Sequence, residues 1–276
     1  MHRDAEQLIE NVSQLVSPPE VYYQLESLIH KPHTSLDDIA NVIRTDLDLS
    51  ARLLRIANSA FYGFPAKVES IPRALATVGT RQLRDLVLAT TVVRLFSQIP
   101  FELINMNLFW RHSMHTGLLA RNLASLAGEP NEERFYLVGL LHDIGHLVLY
   151  LKLPDQVQKI LLQASEQKLP RYQVEIDNLG YEHGELGAAL LTSWRLPAAV
   201  IEPVRYHHFP SSASNYPIEA TLVSVANALV HETADEQTIA PGAQRMLMEL
   251  GIEEEQCAQA RASAEAQLGE VISMFT

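Results

Sequence analysis

Apolar residues recur at helical rather than strand spacing through most of this 276-residue chain, and glycine and proline fall between such segments rather than inside them. One segment in the middle of the chain shows the pattern clearly. Its predicted core positions, all on one helix face, are Phe135, Val138, Leu141, Ile144 and Val148. The sequence therefore predicts an all-α protein.

Capping residues predict several helix boundaries. Ser35, followed by two aspartates, is a typical N-cap, and Ser70 with Pro72 close behind it predicts another helix start. Gly79 is expected to end that second helix. The stretch from Ser97 to Met106, which contains a proline, is the predicted boundary between two helical parts. We expect an N-terminal part over 1–106, a core over 107–232 and a C-terminal helical tail over 233–276.

Charge and composition exclude several classes of protein. Lys and Arg number 21 against 33 Asp and Glu, and the net charge of −12 repels nucleic-acid backbones and anionic lipids. Non-specific nucleic-acid binding and membrane association are therefore not expected. The amino end is charged, and no apolar run approaches the roughly 18 to 20 residues of a spanning helix, so we expect a cytoplasmic protein. Cys257 is the only cysteine, which excludes an intramolecular disulfide.

The run Leu140-Leu141-His142-Asp143-Ile144-Gly145-His146 sets an adjacent histidine and aspartate in apolar surroundings. A carboxylate there is costly to bury unless a metal, an arginine or an asparagine pairs with it. His142 and His146 are four residues apart, which predicts that they share one face of a single helix. Asp143 is thus the residue least compatible with a purely structural role.

Further histidines lie on separate predicted helices, an arrangement that lets a helical bundle direct ligands into one cavity. A single buried histidine is usually only a hydrogen-bonded core residue, and that alternative stands for each of them taken alone. Imidazole and carboxylate ligands suit a divalent metal such as Fe, Mn, Ni or Zn. The candidate metal ligands are His112, His142, Asp143, His183, His207 and His208.

From about Val16 to Val230 the chain resembles the HDOD domain, the HD-related output domain of bacterial signalling proteins, which is itself related to the HD phosphohydrolases. The most specific stretch is Ile43 to Leu88. The matching motifs are Asp46-Leu47-Asp48-Leu49-Ser50, the run Leu53 to Gly63, Ile71, Ala74-Leu75, Val78-Gly79, Trp110 to Ser113, Gly139 to Gly145, His183 to Gly187, Trp194 to Pro197 and His207-His208.

The resemblance implies a multi-helix HD-like fold, with an N-terminal helical subdomain packed on an HD-type core. It also implies a metal pocket formed first by His112, His142, Asp143 and His183. His207 and His208 would occupy the positions that hold a second metal in the HD-GYP cyclic dinucleotide phosphodiesterases.

Two positions depart from the active enzymes. The closing aspartate of active HD enzymes is Asn227 here, and the lysine that follows the motif in HD-GYP enzymes is His146. The first change removes an anionic ligand, and the second removes the obvious partner for a phosphate group.

Three functions remain open at this point, of which a pure metal or small-anion sensor is the least favoured. The first is a non-catalytic or weakly catalytic signalling module that binds other regulatory proteins and holds a metal in a vestigial pocket. The stretch from Asn58 to Phe64 would then be a recognition surface, although aromatic residues that fold back onto the core are the better explanation of it. The second is an active metal-dependent phosphohydrolase for a nucleotide or cyclic dinucleotide, with Asp143 and His146 as its catalytic residues.

Overall fold

The computed structural model describes residues 20–59, 67–96, 104–231 and 241–275. Within these ranges the regular structure is helical and no strand is present, which confirms the predicted all-α class. A 3₁₀ turn covers Pro210–Ser212. The α-helices are α1 (Glu20–Ile29), α2 (Leu36–Arg44), α3 (Leu47–Ala57), α4 (Ile71–Val78), α5 (Thr80–Leu95), α6 (Met106–Leu126), α7 (Glu132–Leu141), α8 (Ile144–Lys152), α9 (Pro154–Gln167), α10 (Arg171–Leu179), α11 (His183–Ser193), α12 (Ala198–Tyr206), α13 (Pro217–His231), α14 (Pro241–Glu249) and α15 (Glu254–Phe275).

The chain forms two compact units. One contains the described residues between 98 and 261, and the other contains those between 18 and 97 together with those from 262 onward. The division between 97 and 98 falls at the start of the stretch that the sequence marks as a boundary. The other division falls within α15, whose residues 254–261 belong to the first unit and whose residues from 262 onward belong to the second.

In the unit that begins with α1, the capping residues act as predicted. Ser35 Oγ accepts a hydrogen bond from the backbone N–H of Asp38, and the Asp38 carboxylate accepts one from the backbone N–H of Ser35. Ser70 caps α4, which ends at Gly79 with φ of +100°. The predicted recognition stretch lies partly outside the described residues, since 60–66 are not among them.

In the other unit, two glycines bring α6 and α7 into direct backbone contact. A Cβ added to Gly139 would lie 2.6 Å from the Cα of Gly117, and one added to Gly117 would lie 2.7 Å from the carbonyl oxygen of Tyr136. Because neither position tolerates a side chain, the two helices pack closely. This packing sets His112, on α6, beside the end of α7.

The prediction of one continuous helix through His142 and His146 is wrong. Helix α7 ends at Leu141 and α8 begins at Ile144, with Asp143 in a non-helical conformation between them. A Cβ on Gly145 would overlap the carbonyl oxygen of His183, so α8 rests directly on the backbone of α11. The break gives α8 its own direction and leaves His142 and Asp143 at the junction of the two helices.

Two further sequence predictions concern Cys257 and membrane-spanning helices. Cys257 is fully buried in α15 and forms no disulfide among the described residues. Among the described residues, no helix combines the length and the apolar character needed to cross a membrane.

Candidate metal centre

The predicted metal ligands come together around one cavity of about 960 Å³. His112 lies in α6, His142 and Asp143 occupy the α7–α8 junction, His183 begins α11, and the His207-His208 pair follows α12. All of them except His142 line the cavity, as does His146. His142 is completely buried and forms a group with His112 and Asp143.

Asp143 is at the centre of this cluster. Its Oδ1 lies 3.3 Å from Nε2 of His142 and 3.2 Å from Nε2 of His183, and its Oδ2 lies 3.6 Å from Nε2 of His112. Nε2 of His146 lies 3.7 Å from Oδ1. Several imidazoles therefore direct the same ring nitrogen at one carboxylate.

The other histidines surround His183. Its Nε2 lies 3.3 Å from Nε2 of His207 and 3.1 Å from Nε2 of His208. Two ligands of one tetrahedral or octahedral metal, with bonds of about 2.1 Å, stand about 3.0 to 3.4 Å apart. The spacing between these ring nitrogens matches that of ligands that share a metal. Four groups of described residues each bring three possible ligand atoms within 4.8 Å of one another, among them His112–His142–Asp143 and His183–His207–His208.

Backbone carbonyls fix the orientation of two of the rings. Nδ1–H of His142 donates to the carbonyl oxygen of Gly139 at 2.6 Å, and Nδ1–H of His207 donates to that of Val204 at 2.8 Å. A carbonyl only accepts, so each Nε2 is left with a lone pair directed into the cluster. Nε2 of His142 is buried and has no hydrogen-bond partner among the described residues. A divalent metal fits this donor set and would supply Lewis acidity at the cavity.

Two buried carboxylates that sequence reasoning missed hold His183 from the other side. Nδ1–H of His183 donates to Glu175 Oε2 at 2.7 Å and lies 3.4 Å from Glu182 Oε2. The backbone N–H of His183 also donates to Glu175, at 2.9 Å. A signal for Glu175 existed in the sequence, because this charged residue stands between Val174 and Ile176 in the middle of an amphipathic segment.

Electrostatics keep most of the imidazoles neutral. Burial lowers the pKa of His112 to about 3, of His146 to about 4 and of His208 to about 2. Burial also lowers the pKa values of His142 and His207. A neutral imidazole is the form that binds a metal, so these five are ready as ligands at neutral pH.

The remaining groups carry the charge. Burial opposes ionisation of Asp143, but the imidazoles of His142, His146 and His183 outweigh it and hold the pKa of Asp143 well below its usual range. Burial likewise opposes protonation of His183, but Glu175 and Glu182 raise its pKa to about 10. In the metal-free protein His183 is therefore an imidazolium between carboxylates. Burial raises the pKa of Glu182 to about 7.

The two departures from the active enzymes both face the site. Asn227, on α13, is buried, lines the cavity and interacts with the imidazole of His112. His146 stacks on His183 with ring centres 3.7 Å apart, and its Nδ1 lies 3.3 Å from Glu175. His231, which the sequence prediction left out, stacks on His112 at 4.4 Å.

A family model of the HDOD domain matches residues 15–210. The chain belongs to the HDOD family. Within this family, 224 residues are 29% identical to an uncharacterized protein of Treponema pallidum (strain Nichols), a match that covers 80% of this chain and 42% of that protein. The protein YuxH of Bacillus subtilis (strain 168) is 26% identical over 152 residues, covering 51% and 36% of the two chains. This HDOD chain thus spans less than half the length of these relatives.

Solved structures share the fold. A Shewanella amazonensis SB2B protein that bears the name "Putative phosphohydrolase" superposes with a TM-score of 0.78 at 25% identity, over 98% of each chain. An HDOD domain protein of unknown function from Geobacter sulfurreducens gives 0.76 at 22% identity, over 99% of this chain and 98% of its own. A Marinobacter aquaeolei VT8 protein named "Putative signal transduction protein" gives 0.72 at 23% identity, over 96% and 60%.

Proposed function

We propose that this HDOD chain is a signal-transduction module whose histidine pocket binds a divalent metal, Fe, Mn, Ni or Zn, and which acts on other regulatory proteins with little or no hydrolytic activity. The observation that carries the metal is the convergence of imidazole Nε2 atoms on Asp143 at 3.2 to 3.8 Å. The signalling role is supported by the name of the Marinobacter neighbour.

The low hydrolytic activity follows from the two departures. Hydrolysis of a phosphoester needs a metal-bound hydroxide and positive charge or donors at the phosphate oxygens. Asn227 offers a neutral amide beside His112, where active HD enzymes have a carboxylate. His146 is held neutral in the position of the HD-GYP lysine. Both changes leave metal binding in place and weaken catalysis.

A second candidate is a metal-dependent phosphohydrolase for a nucleotide or cyclic dinucleotide. The specific observation in its favour is the cavity of about 960 Å³ beside the histidine cluster, large enough for such a ligand. Asp143 would hold the metal and His146 would contact the substrate phosphate. The Shewanella neighbour's name points the same way for that protein.

Turnover of a phosphoester panel separates the two. The metal-loaded protein is assayed with nucleoside monophosphates, cyclic dinucleotides and a chromogenic phosphodiester, next to the Asp143→Ala variant. We expect no turnover above that of Asp143→Ala, while the wild-type protein retains its metal. Metal-stimulated turnover that Asp143→Ala abolishes would establish the phosphohydrolase instead.

A further inference from the structure

Arg171 brings a permanent positive charge to the cavity that holds the histidine cluster. It is the first residue of α10 and lines the cavity, with 23% of its side chain exposed. A guanidinium does not lose its proton under any ordinary condition. The position of the HD-GYP lysine is His146 here, so Arg171 is a cation that the pocket gains from a different helix.

The guanidinium is held in place but only partly paired. Its Nε–H donates to Glu175 Oε1 at 3.0 Å, and Nη1 lies 3.5 Å from the hydroxyl of Tyr150. The guanidinium carbon lies 5.3 Å from the centre of the Tyr150 ring. Nη2 is buried and has no hydrogen-bond partner among the described residues. Buried donors are nearly always satisfied, so the unpaired Nη2 of this cavity-lining arginine leaves donor capacity for an acceptor that the described residues do not provide.

Glu175 does not use up the charge of Arg171, because this carboxylate serves several donors at once. Its Oε2 accepts from both the backbone N–H and Nδ1–H of His183. Its Oε1, which accepts from Arg171, also faces Nδ1 of His146 at 3.3 Å. Arg171 and His146 therefore border the same oxygen, and an anion held by Arg171 lies next to the histidine cluster.

The cavity also offers apolar surface. Leu108 lines it, and 62% of this leucine is exposed, so its apolar surface is accessible to a ligand. Phe109 and Tyr172 line it as well. A ligand that fits these surroundings combines an anionic group with an apolar or aromatic one.

We propose that Arg171 is the anion-binding residue of this pocket and that its ligand is a phosphate monoester with an aromatic or apolar organic group. A phosphate monoester has three terminal oxygens and can accept from the guanidinium while another oxygen faces a metal held by the histidine cluster, whereas a carboxylate has two. This inference rests on the proposed function in taking the pocket as a ligand site, and it names the ligand that the site takes.

The test is a calorimetric titration with phenyl phosphate, inorganic phosphate and phenol, on the full chain with and without Mn²⁺. The variants are Arg171→Gln and Arg171→Lys. Arg245→Gln is the matched control, because Arg245 is 83% exposed on α14 and its partner among the described residues is Glu249 of the same helix. Metal content and melting temperature are measured for each protein.

We expect phenyl phosphate to bind the wild-type protein and Arg245→Gln equally, and phenol not to bind. Arg171→Gln is expected to weaken phenyl phosphate binding about tenfold or more, as the loss of a charged hydrogen bond does. Arg171→Lys keeps the charge and loses the guanidinium fork. Its affinity for phenyl phosphate is therefore expected to fall between those of the wild-type protein and Arg171→Gln. If Arg171→Gln does not fold, Arg171→Lys decides the question.

Failure of this inference is separable from failure of the metal site. Phenyl phosphate affinity that is the same in the wild-type protein and both Arg171 variants, or absent in all of them, overturns the role of Arg171 even if the metal is present. A metal-free wild-type protein whose phenyl phosphate affinity depends on Arg171 supports the anion site and contradicts the metal proposal.

Discussion

Acid should destabilise the metal-free protein steeply, because the fold buries neutral imidazoles. A histidine with a folded-state pKa below its unfolded value of about 6.5 contributes stability that is present above pH 6.5 and is lost as the pH falls. His112, His146 and His208, with pKa values of about 3, 4 and 2, are three such groups. Each takes up a proton on unfolding near pH 5.5.

One group acts in the opposite direction. Glu182 has a pKa raised to about 7, so it is already protonated in the folded protein at pH 5.5 and loses its proton on unfolding. His183 has a pKa of about 10 and is protonated in both states at this pH. The net uptake is close to two protons, which corresponds to about 2.5 kcal/mol of unfolding free energy lost per pH unit between pH 6 and 5. His142 and His207, whose pKa values burial also lowers, add to this loss.

The assay is urea unfolding of chelator-treated protein at several pH values from 7.5 to 5.0, followed by circular dichroism. His112→Asn removes one of the titrating groups and should reduce the pH slope by about one proton. His30→Gln, at a surface histidine with 64% of its side chain exposed, is the matched control for the loss of a histidine outside the buried cluster. An unfolding free energy that stays constant from pH 7 to 5 would refute the assignment of neutral buried imidazoles.

Further predictions concern the metal. Asn227→Asp should tighten metal binding because it adds an anionic ligand beside His112. The expected result is a slower loss of metal to a chelator. An unchanged rate of loss would count against the position of Asn227 beside the metal. Gly145→Ala should abolish metal binding while helix content is retained, because its Cβ displaces the backbone of His183. Elemental analysis measures the metal and circular dichroism measures the helix content. Full metal content in this variant would contradict the prediction. Glu175→Gln removes the carboxylate that orients His183 and should weaken metal affinity about 10- to 100-fold. A competition titration with a fluorescent chelator measures that affinity. An unaltered affinity would exclude the orienting role of Glu175. Metal affinity should also rise with pH from 6.5 towards 10, since the proton on Nε2 of His183 must leave before the metal binds; an affinity that is flat over this range would disagree with the pKa of about 10.

Helical periodicity and capping predicted the fold class and many helix ends, because both depend on local residues. Ser35, Ser70 and Gly79 act where the sequence placed them. The break between α7 and α8, at His142 and Asp143, was not predictable in this way. It is accompanied by the contact of Gly145 with the backbone of α11, which is distant in sequence and leaves no local periodicity signal.

Within the candidate site, only the proposed metal ligands could be predicted from the sequence. The motif and the family resemblance singled out residues that the structure brings together around Asp143. Glu175 and Arg171, which lie behind these ligands, were missed, because their helix looks amphipathic and solvated by sequence alone. Their pairing with His183 and with the cavity follows from tertiary packing. His231 was missed for the same reason, since it stacks on a histidine from another helix.

The central claim is that the histidine pocket holds a divalent metal, and elemental analysis tests it most directly. The protein is purified without chelator or affinity metal and compared with His142→Ala and Asp143→Ala. The account predicts at least one equivalent of Fe, Mn, Ni or Zn in the wild-type protein, and loss of that metal in both variants. A wild-type protein without metal, or variants that retain it in full, would contradict the account.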